Sequence, residues 1–388
     1  MSESSGVAPL AVLGPDRGGG RLADVLPSAL AVLGVPGSAD PLGLVPALAG
    51  VRRVAVLLVD GLGWYQLPTA APYAPTLAGL AATVARPLIA GFPSTTPTSL
   101  VSLGTGVAPG AHGVLGFTVR VPGTDRVLTH TDWAADPSPS TWQPVTTQLE
   151  RARAAGVAVT VVSRPEFGGS GLTVAANRGG DFRGAAGGEA VAAAMLAALA
   201  AGDGPTLVSG YHADLDRYGH VYGVDSEPWR VAATEVDTLL ARLVDGLPSD
   251  AALLVTADHG QLDVPAEHRF DLDTDPRLRA GLRLVAGEAR VRYLHVEPGA
   301  VEDVLAAWSE VLGDAARVST RDEAVATGWF GPVPEEHLGR IGDVVVTCND
   351  TYAVMASRTE RPMASKLVAY HGSDTAVELT VPLLVVRG

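Results

Sequence analysis

From residue 54 onward, short continuous apolar runs alternate with longer segments in which apolar residues recur at helical spacing. The apolar runs predict strands at 54–59, 86–90, 157–163, 205–211 and 252–257. The helical spacing predicts helices at 97–104, 144–155, 187–202 and 228–246. Because the strand candidates lack an alternation of apolar and polar residues, both faces of their sheet should be covered. The pattern predicts an α/β fold around a mostly parallel sheet flanked by helices.

Carboxylates and imidazoles follow several of these predicted strands. Ligands of open parallel sheets bind beyond the carboxyl ends of the strands, so these side chains should meet at one edge. Buried acids and histidines are costly unless they are paired or hold a metal ion. Six residues fit this pattern: Asp60, Asp216, His220, Asp258, His259 and His371. Three carboxylates and three imidazoles are enough to hold two divalent ions.

A candidate nucleophile lies in the segment 91–100, which reads Gly-Phe-Pro-Ser-Thr-Thr-Pro-Thr-Ser-Leu. Proline is favoured at the first position of a helix, so Pro97 predicts a helix with Thr96 as its N-cap. A helix N-terminus attracts anions, and a hydroxyl beside divalent ions can attack phosphorus. The alternative interpretation is an ordinary capped helix with a polar approach.

The distribution of glycine, proline and charge predicts three parts. Residues 1–50 are rich in Gly, Pro and Ala and predict an irregular lead-in on the core. Residues 51–262 and 366–388 should form the core. Residues 263–365 contain more charge and a strand–helix–strand pattern, which predicts a smaller α+β cap lobe inserted into the core. His371 lies beyond that lobe, and this favours an insertion over an independent domain.

Composition excludes several classes of protein. The net charge of −14 over 388 residues argues against a nucleic-acid polymer as partner. Cys348 is the single cysteine, so there is no internal disulfide framework. The polar and acidic start, Ser2 to Ser5, does not resemble a secretory leader, and the most apolar helical run, 190–201, is too short for a bilayer. We expect a cytoplasmic protein that binds no membrane; the oligomeric state is not predicted.

The ordered set of motifs resembles the alkaline phosphatase superfamily, and most closely its type I phosphodiesterase/nucleotide pyrophosphatase branch, to which phosphonoacetate hydrolase is related. The set comprises an Asp after the first strand, a Thr nucleophile, Asp-x-x-x-His, Asp-His-Gly and a late His-Gly. The resemblance implies an alkaline-phosphatase-like core and two metal sites. One site would use Asp216, His220 and His371. The other would use Asp60, Asp258 and His259, with the hydroxyl of Thr96 at its open position and Thr95 as the alternative nucleophile.

The chain departs from the family pattern just after the nucleophile. Relatives commonly have Pro-Asn two and three residues further on, where this chain has Thr98 and Ser99. Ser99 is therefore the candidate for contact with a phosphate oxygen of the substrate. The ligand set suits zinc or manganese without choosing between them.

The activity that the resemblance implies is hydrolysis of a phosphodiester through a phospho-threonine intermediate. A small intracellular nucleotide diester is the expected substrate. Cyclic di-AMP is the favoured example, because the chain resembles actinobacterial cyclic di-AMP phosphodiesterases of this superfamily. Two alternatives stay open, a phosphonate hydrolase of the phosphonoacetate type and a catalytically inactive metal protein that senses a nucleotide.

Overall fold

The structure is a computed structural model that describes residues 8–15, 19–361 and 364–388. The predicted polar start Ser2 to Ser5 lies outside the described residues, as do parts of the predicted lead-in (1–7 and 16–18) and cap (362–363). No helix among the described residues is long and apolar enough to cross a membrane.

The strands within the described ranges are β1 Gly20–Arg21, β2 Arg53–Val59, β3 Ala85–Ile89, β4 Thr118–Arg120, β5 Val127–Thr129, β6 Ala158–Ser163, β7 Asp181–Gly184, β8 Thr206–His212, β9 Ala251–Thr256, β10 Leu262–Asp263, β11 Arg269–Asp271, β12 Leu282–Glu288, β13 Val291–Val296, β14 Ala316–Thr320, β15 Val344–Cys348, β16 Ala353–Met355, β17 Ala369–Tyr370 and β18 Thr380–Arg387.

The α-helices are α1 Val25–Val32, α2 Leu44–Ala47, α3 Leu67–Ala70, α4 Pro75–Val84, α5 Thr96–Thr105, α6 Pro109–His112, α7 Pro139–Trp142, α8 Gln148–Ala154, α9 Gly171–Asn177, α10 Gly188–Leu199, α11 Asp214–Tyr222, α12 Glu227–Asp245, α13 Pro276–Arg279, α14 Val301–Leu312, α15 Arg321–Ala326, α16 Glu335–Leu338 and α17 Ala376–Leu379. Short 3-10 turns lie at Leu22–Asp24, Trp64–Gln66, His130–Asp132, Pro165–Phe167, Ala266–His268, Gly313–Ala315 and Ala364–Lys366.

The main sheet has eight strands in the order β1-β3-β18-β9-β2-β8-β6-β7. Every neighbouring pair is parallel except those of β18, which is antiparallel to β3 and to β9. All six residues of β9 and six of the seven in β2 are buried, as expected for strands covered on both faces. The predicted mixed α/β fold around a mostly parallel sheet is confirmed.

The register of the three central strands brings the predicted ligands together. Leu58 of β2 pairs with Thr256 of β9, and Val59 pairs with His212 of β8. Asp60 comes one residue after β2 and Asp258 two residues after β9, so the two carboxylates leave neighbouring strands at the same height. The backbone N–H of Asp60 donates to the carbonyl of His212 at 2.9 Å, which continues the ladder into the site.

The region between residues 263 and 365 contains its own antiparallel sheet, in the order β12-β13-β15-β14. A separate apolar cluster, which includes Trp308 of α14 and Val346 of β15, fills the space behind this sheet. Strand β10 pairs with β17, so the chain leaves the core and returns to it at one place. This extra sheet lobe matches the predicted architecture, while the domain boundaries stay a prediction.

The described part of the first 50 residues contains regular elements that the predicted lead-in did not include. Gly20 and Arg21 form β1, which pairs with β3 and is one edge of the main sheet, and helix α1 buries Val25, Leu26 and Leu30 against the core. The glycine and proline content of this segment did not predict a helix. Pro27 is compatible with α1 because it lies in the first turn, where proline is tolerated.

Candidate active site

Two groups of predicted ligands lie at the carboxyl edge of the main sheet. We call Asp60, Asp258 and His259 the sheet-end group, and Asp216, His220 and His371 the cap-side group. The structure brings all six together. The ligand atoms of the cap-side group lie within 4.8 Å of one another, and so do those of Asp60, Asp216 and His259. The imidazole rings of His259 and His371 stack with centroids 3.6 Å apart, so the two groups adjoin.

The sheet-end group is held by tight turns directly after β2 and β9. Asp258 Oδ1 accepts from the backbone N–H of Gly61 and of His259, both at 3.1 Å. Its Oδ2 lies 3.4 Å from His259 Nε2, and Asp60 Oδ1 lies 3.5 Å from the same nitrogen. These side chains are at most 5% exposed. Their geometry is therefore set by the sheet itself.

The cap-side group comes from helix α11 and from the segment after β17. Asp216 and His220 lie one helical turn apart on α11, with Asp216 Oδ2 3.3 Å from His220 Nε2. His220 Nε2 lies 3.1 Å from His371 Nε2. The Nδ1 atoms point to backbone carbonyls, that of His220 to Ala369 at 2.7 Å and that of His371 to Ser94 at 2.8 Å. Donation from Nδ1 leaves each Nε2 free to bind a metal ion.

The three carboxylates concentrate negative charge in the buried site, which favours bound cations. Burial raises the pKa of Asp60 well above its usual value, and the neighbouring carboxylates of Asp258 and Asp216 raise it further. Burial also raises the pKa of Asp216. Burial and the two neighbouring imidazoles lower the pKa of His371 well below its usual value, which favours the neutral, ligating form. Three carboxylates within one buried cluster are stable as anions only beside positive charge.

Two buried carboxylate oxygens in the sheet-end group lack a hydrogen-bond partner in the described part of the chain, as expected if they bind a divalent ion. Asp60 Oδ1 and Asp258 Oδ2 have no hydrogen-bond partner among the described residues, although both are shielded from solvent. Buried oxygens of this kind are costly unless something else satisfies them. They face the Nε2 atom of His259, so imidazole nitrogen and carboxylate oxygen converge as in zinc and manganese sites. The residues fit the predicted pair of ions.

Thr96 lies at the edge of the sheet-end group. Its Oγ1 is 3.2 Å from His259 Nε2, and the residue is partly exposed at the start of α5. The adjacent Thr95 is fully buried. The prediction that Thr96 is the N-cap is wrong by one position. Helix α5 begins at Thr96, Thr95 is the N-cap, and Pro97 occupies the second helical position, which proline also tolerates.

Ser99 is turned toward the backbone of the site. Its hydroxyl donates to the carbonyl of Asp258 at 2.7 Å, and the residue is fully buried. The single proton of this hydroxyl is therefore engaged, and the predicted contact with a phosphate oxygen would require it to turn away. In this structure Ser99 joins α5 to the turn that carries Asp258 and His259.

Two residues that support the ligands were missed by the sequence reasoning. The Tyr211 hydroxyl donates to Asp60 Oδ2. Gln261 Nε2 donates to Asp216 Oδ1 at 2.5 Å. Tyr211 ends a predicted strand and Gln261 directly follows Asp-His-Gly, so their positions carried a signal, but neither residue type marks a metal site by itself.

A cavity of about 150 Å³ opens beside Thr96, along the carboxyl-terminal parts of β2, β6 and β8. Its apolar wall is formed by Leu58, Leu100, Leu103, Val161, Phe167 and Leu172. Hydroxyl groups and one amide complete the lining: Thr96, Thr131, Ser163, Ser170, Thr173, Ser209, Tyr211 and Asn177, with Gly210 between them. None of these lining residues carries a formal charge, so the cavity suits an uncharged, partly apolar group.

A buried histidine cluster lies behind α5. His112 Nε2 is 2.9 Å from Ser102 Oγ, and burial lowers the pKa of His112 to about 3. His130 is also fully buried, and burial lowers its pKa to about 4. His112 ends the short helix α6, just before Gly113, and its contact with Ser102 joins that turn to α5.

An α/β core with acids and histidines at the strand ends, a hydroxyl at a helix start and an inserted lobe defines a metal-dependent hydrolase of the alkaline phosphatase superfamily. The chain belongs to the type I phosphodiesterase/nucleotide pyrophosphatase family, whose sequence model matches residues 54–374. It is therefore a phosphoric diester hydrolase of a metal-dependent family. No curated protein sequence matches the chain.

Solved structures show the same fold at low sequence identity. Murine ectonucleotide pyrophosphatase/phosphodiesterase 5 is 18% identical, with a TM-score of 0.68, over 85% of this chain and 87% of that one. An inactive variant of the same murine protein in complex with AMP gives a TM-score of 0.69 at 17% identity, over 86% and 87% of the two chains. Phosphonoacetate hydrolase from Sinorhizobium meliloti, in complex with phosphonoacetate, gives 0.65 at 19% identity, over 87% and 90%.

Proposed function

We propose that the chain hydrolyses a small nucleotide diester with two divalent ions, zinc or manganese, through a phospho-threonine intermediate on Thr96. The convergence of all six ligands beside Thr96 carries this proposal, because Thr96 Oγ1 lies 3.2 Å from His259 Nε2 within the sheet-end group. Bound ions would lower the pKa of the threonine hydroxyl and offset the charge of the phosphate oxygens.

The residues of the chain supply the remaining steps. Thr96 Oγ forms the new bond to phosphorus while the bond to the leaving oxygen breaks, and the leaving group takes a proton. Water then cleaves the phospho-threonine and restores the hydroxyl. The N-terminus of α5 adds a favourable potential for the phosphate.

The uncharged cavity beside Thr96 supports a nucleotide over phosphonoacetate as the substrate. A nucleobase is flat and uncharged, and it would place apolar surface on Phe167 and Leu172 while its polar edge reaches Asn177 and the hydroxyls. Phosphonoacetate carries a carboxylate, for which this lining offers no lysine or arginine. The structure of a relative in complex with AMP agrees with a nucleotide ligand in this fold.

Cyclic di-AMP in the cytoplasm is the specific substrate and location that we propose. This choice rests on the resemblance of the sequence to actinobacterial cyclic di-AMP phosphodiesterases. The alternative of an inactive nucleotide sensor is disfavoured, because Thr96 and all six ligands are present and adjacent.

The test is a comparison of substrates with added manganese or zinc: cyclic di-AMP, bis-p-nitrophenyl phosphate, p-nitrophenyl phosphate and phosphonoacetate. The segment 91–106 contains no lysine or arginine to balance a dianionic monoester. We expect kcat/KM to be at least about tenfold higher for a nucleotide diester than for its monoester, or about 1.4 kcal/mol of transition-state binding. A higher kcat/KM for phosphonoacetate would establish the alternative, and no turnover of any substrate would favour the sensor.

A further inference from the structure

A buried ion pair joins the cap to the segment that carries His371. Arg290 lies between β12 and β13 of the cap, and Glu378 lies in α17, just before the last strand of the core. Arg290 Nε donates to Glu378 Oε1 at 3.0 Å, and Nη2 donates to Oε2 at 2.6 Å. Both side chains are fully buried. Arg290 also donates to the carbonyls of Asn349 and Tyr352, so the cap backbone fixes its guanidinium.

Glu378 contacts both loops that carry histidine ligands. Its Oε1 accepts from the backbone N–H of Ser373 at 3.0 Å, two residues after His371. Its backbone carbonyl accepts from the N–H of Gly260 at 2.9 Å, one residue after His259. The contact with Ser373 uses the side chain of Glu378, so a substitution can remove it. The contact with Gly260 uses the backbone carbonyl and is available to any residue at position 378.

Other supports of the His371 segment also come from the cap. The Ser373 hydroxyl donates to the carbonyl of Cys348 in β15 at 2.6 Å. Gly372 has φ +134°, and a Cβ there would come within 2.9 Å of the Glu288 side chain. From the core, Ser94 also holds this segment. Its carbonyl accepts from His371 Nδ1, its hydroxyl donates to the carbonyl of Ser373 and accepts from the N–H of Gly372, and its own N–H donates to the carbonyl of Gly372. The position of His371 thus depends on contacts from both the core and the cap.

We propose that Arg290 and Glu378 are positioning residues through which the cap fixes His371, and with it the metal ion of the cap-side group. This inference rests on the proposed two-ion function. It predicts an asymmetry: loss of the pair should weaken one ion far more than the other, because the sheet-end group is held through the backbone carbonyl of Glu378 and by its own turns.

Glu378→Gln is the sharpest substitution. Each carboxylate oxygen accepts two hydrogen bonds, Oε1 from Arg290 and Ser373 and Oε2 from Arg290 and Thr375. Either orientation of a glutamine amide places its N–H₂ against donors. Arg290→Lys is the second variant, which keeps the buried charge but loses the two-pronged geometry.

The chain contains a matched control two residues further on, in β13. Arg292 is 1% exposed and forms a two-pronged pair with Glu360, which is 30% exposed. This pair has no described hydrogen bond to either ligand-bearing loop. Glu360→Gln and Arg292→Lys therefore change a comparable arginine–glutamate pair within the cap.

The experiment is calorimetric titration of the metal-stripped full chain with MnCl₂, alongside thermal unfolding of each metal-free variant. We expect two binding events in the parent, one of which weakens at least about tenfold in Glu378→Gln and less in Arg290→Lys, while the control variants keep both. Unchanged affinities in a folded Arg290→Lys or Glu378→Gln protein would overturn the proposal, as would equal weakening of both events or of the controls. Two events in a parent that hydrolyses no diester would refute the proposed function alone.

Discussion

The two ligand groups have the same chemistry but are built differently. The sheet-end group leaves two adjacent strands within three residues of their ends, and its side chains are at most 5% exposed. The cap-side group combines a helix with a segment beyond the cap, and its side chains are 7% to 21% exposed. A site built on strand ends is fixed by the register of the sheet, whereas a site that spans an insertion depends on how that insertion is attached.

The largest effect should come from the nucleophile, which adjoins the sheet-end group. Thr96→Ala should lower kcat/KM for bis-p-nitrophenyl phosphate by at least about 10³-fold, because the variant lacks the attacking oxygen. Both metal-binding events should persist, since six protein ligands remain. Thr95→Ala is the control, and its effect should be mild. A reversal of the two results would make Thr95 the nucleophile.

Removal of one carboxylate from each group should distinguish the two metal-binding events. Asp216 adjoins ligands of both groups, so Asp216→Asn should weaken both binding events, whereas Asp258→Asn should weaken one. Substitution of a residue that hydrogen-bonds to a metal ligand typically costs about 10–100-fold in metal affinity. Loss of the charge of a ligand itself should therefore cost at least about 100-fold. Titration with MnCl₂ measures both events, and an identical pattern for the two variants would remove the distinction between the groups.

Asp258→Asn should raise the unfolding temperature of the metal-free protein, although it weakens metal binding. Asp258 raises the pKa of Asp60 by repulsion in a buried site. Asp258→Asn removes that repulsion, so the metal-free variant should unfold at a higher temperature than the metal-free parent. A lower unfolding temperature would show that the hydrogen bonds to Asp258 outweigh the repulsion.

Filling the cavity should have a moderate effect that is confined to large substrates. Ser209→Leu places a larger side chain into the space of about 150 Å³ beside Thr96. We expect kcat/KM for a nucleotide diester to fall by about tenfold, equivalent to about 1.4 kcal/mol. Ser209→Ala controls for the lost hydroxyl, and turnover of bis(methyl) phosphate controls for damage to the metals. Equal loss for both diesters would show that the cavity does not bind the substrate.

The smallest expected effect is on the pH dependence of folding stability. It is measured on the metal-free protein, so that loss of bound ions does not contribute. Burial lowers the pKa of His112 to about 3, below its ordinary value of 6.5, so between these values the unfolded chain binds a proton that the folded chain does not. Stability should therefore fall as pH falls, by about 1.4 kcal/mol per pH unit for this group. Denaturant unfolding of the metal-free parent and of His112→Asn at pH 6 and pH 5 should show a flatter dependence in the variant. Equal slopes would mean that His112 takes up its proton within the fold.

The sequence predicted those parts of the site that depend on local spacing. Asp60, Asp258 and His259 follow continuous apolar runs, and such runs predict both the strand and the turn after it. The pairing of His371 with Asp216 came only from the family pattern, because nothing in the local spacing connects the two residues. The contacts of Arg290 with Glu378 could not be predicted, since the two residues are 88 positions apart and belong to different parts of the fold.

The helix start at Thr96 shows a different kind of limit. Proline is tolerated at the first and at the second helical position, so Pro97 fixes the start of α5 only to within one residue. The regular elements of the first 50 residues were missed for a related reason, because composition averages over a segment and hides a short helix such as α1.

The central position of β18 has a consequence for synthesis on the ribosome. This strand is made after all the others described, yet it inserts between β3 and β9 in the middle of the sheet. Until residue 380 has emerged, a nascent chain presents two unpaired strand edges, which are the surfaces through which incomplete sheets aggregate. Chains truncated before β18 should therefore be recovered in inclusion bodies or bound to chaperones.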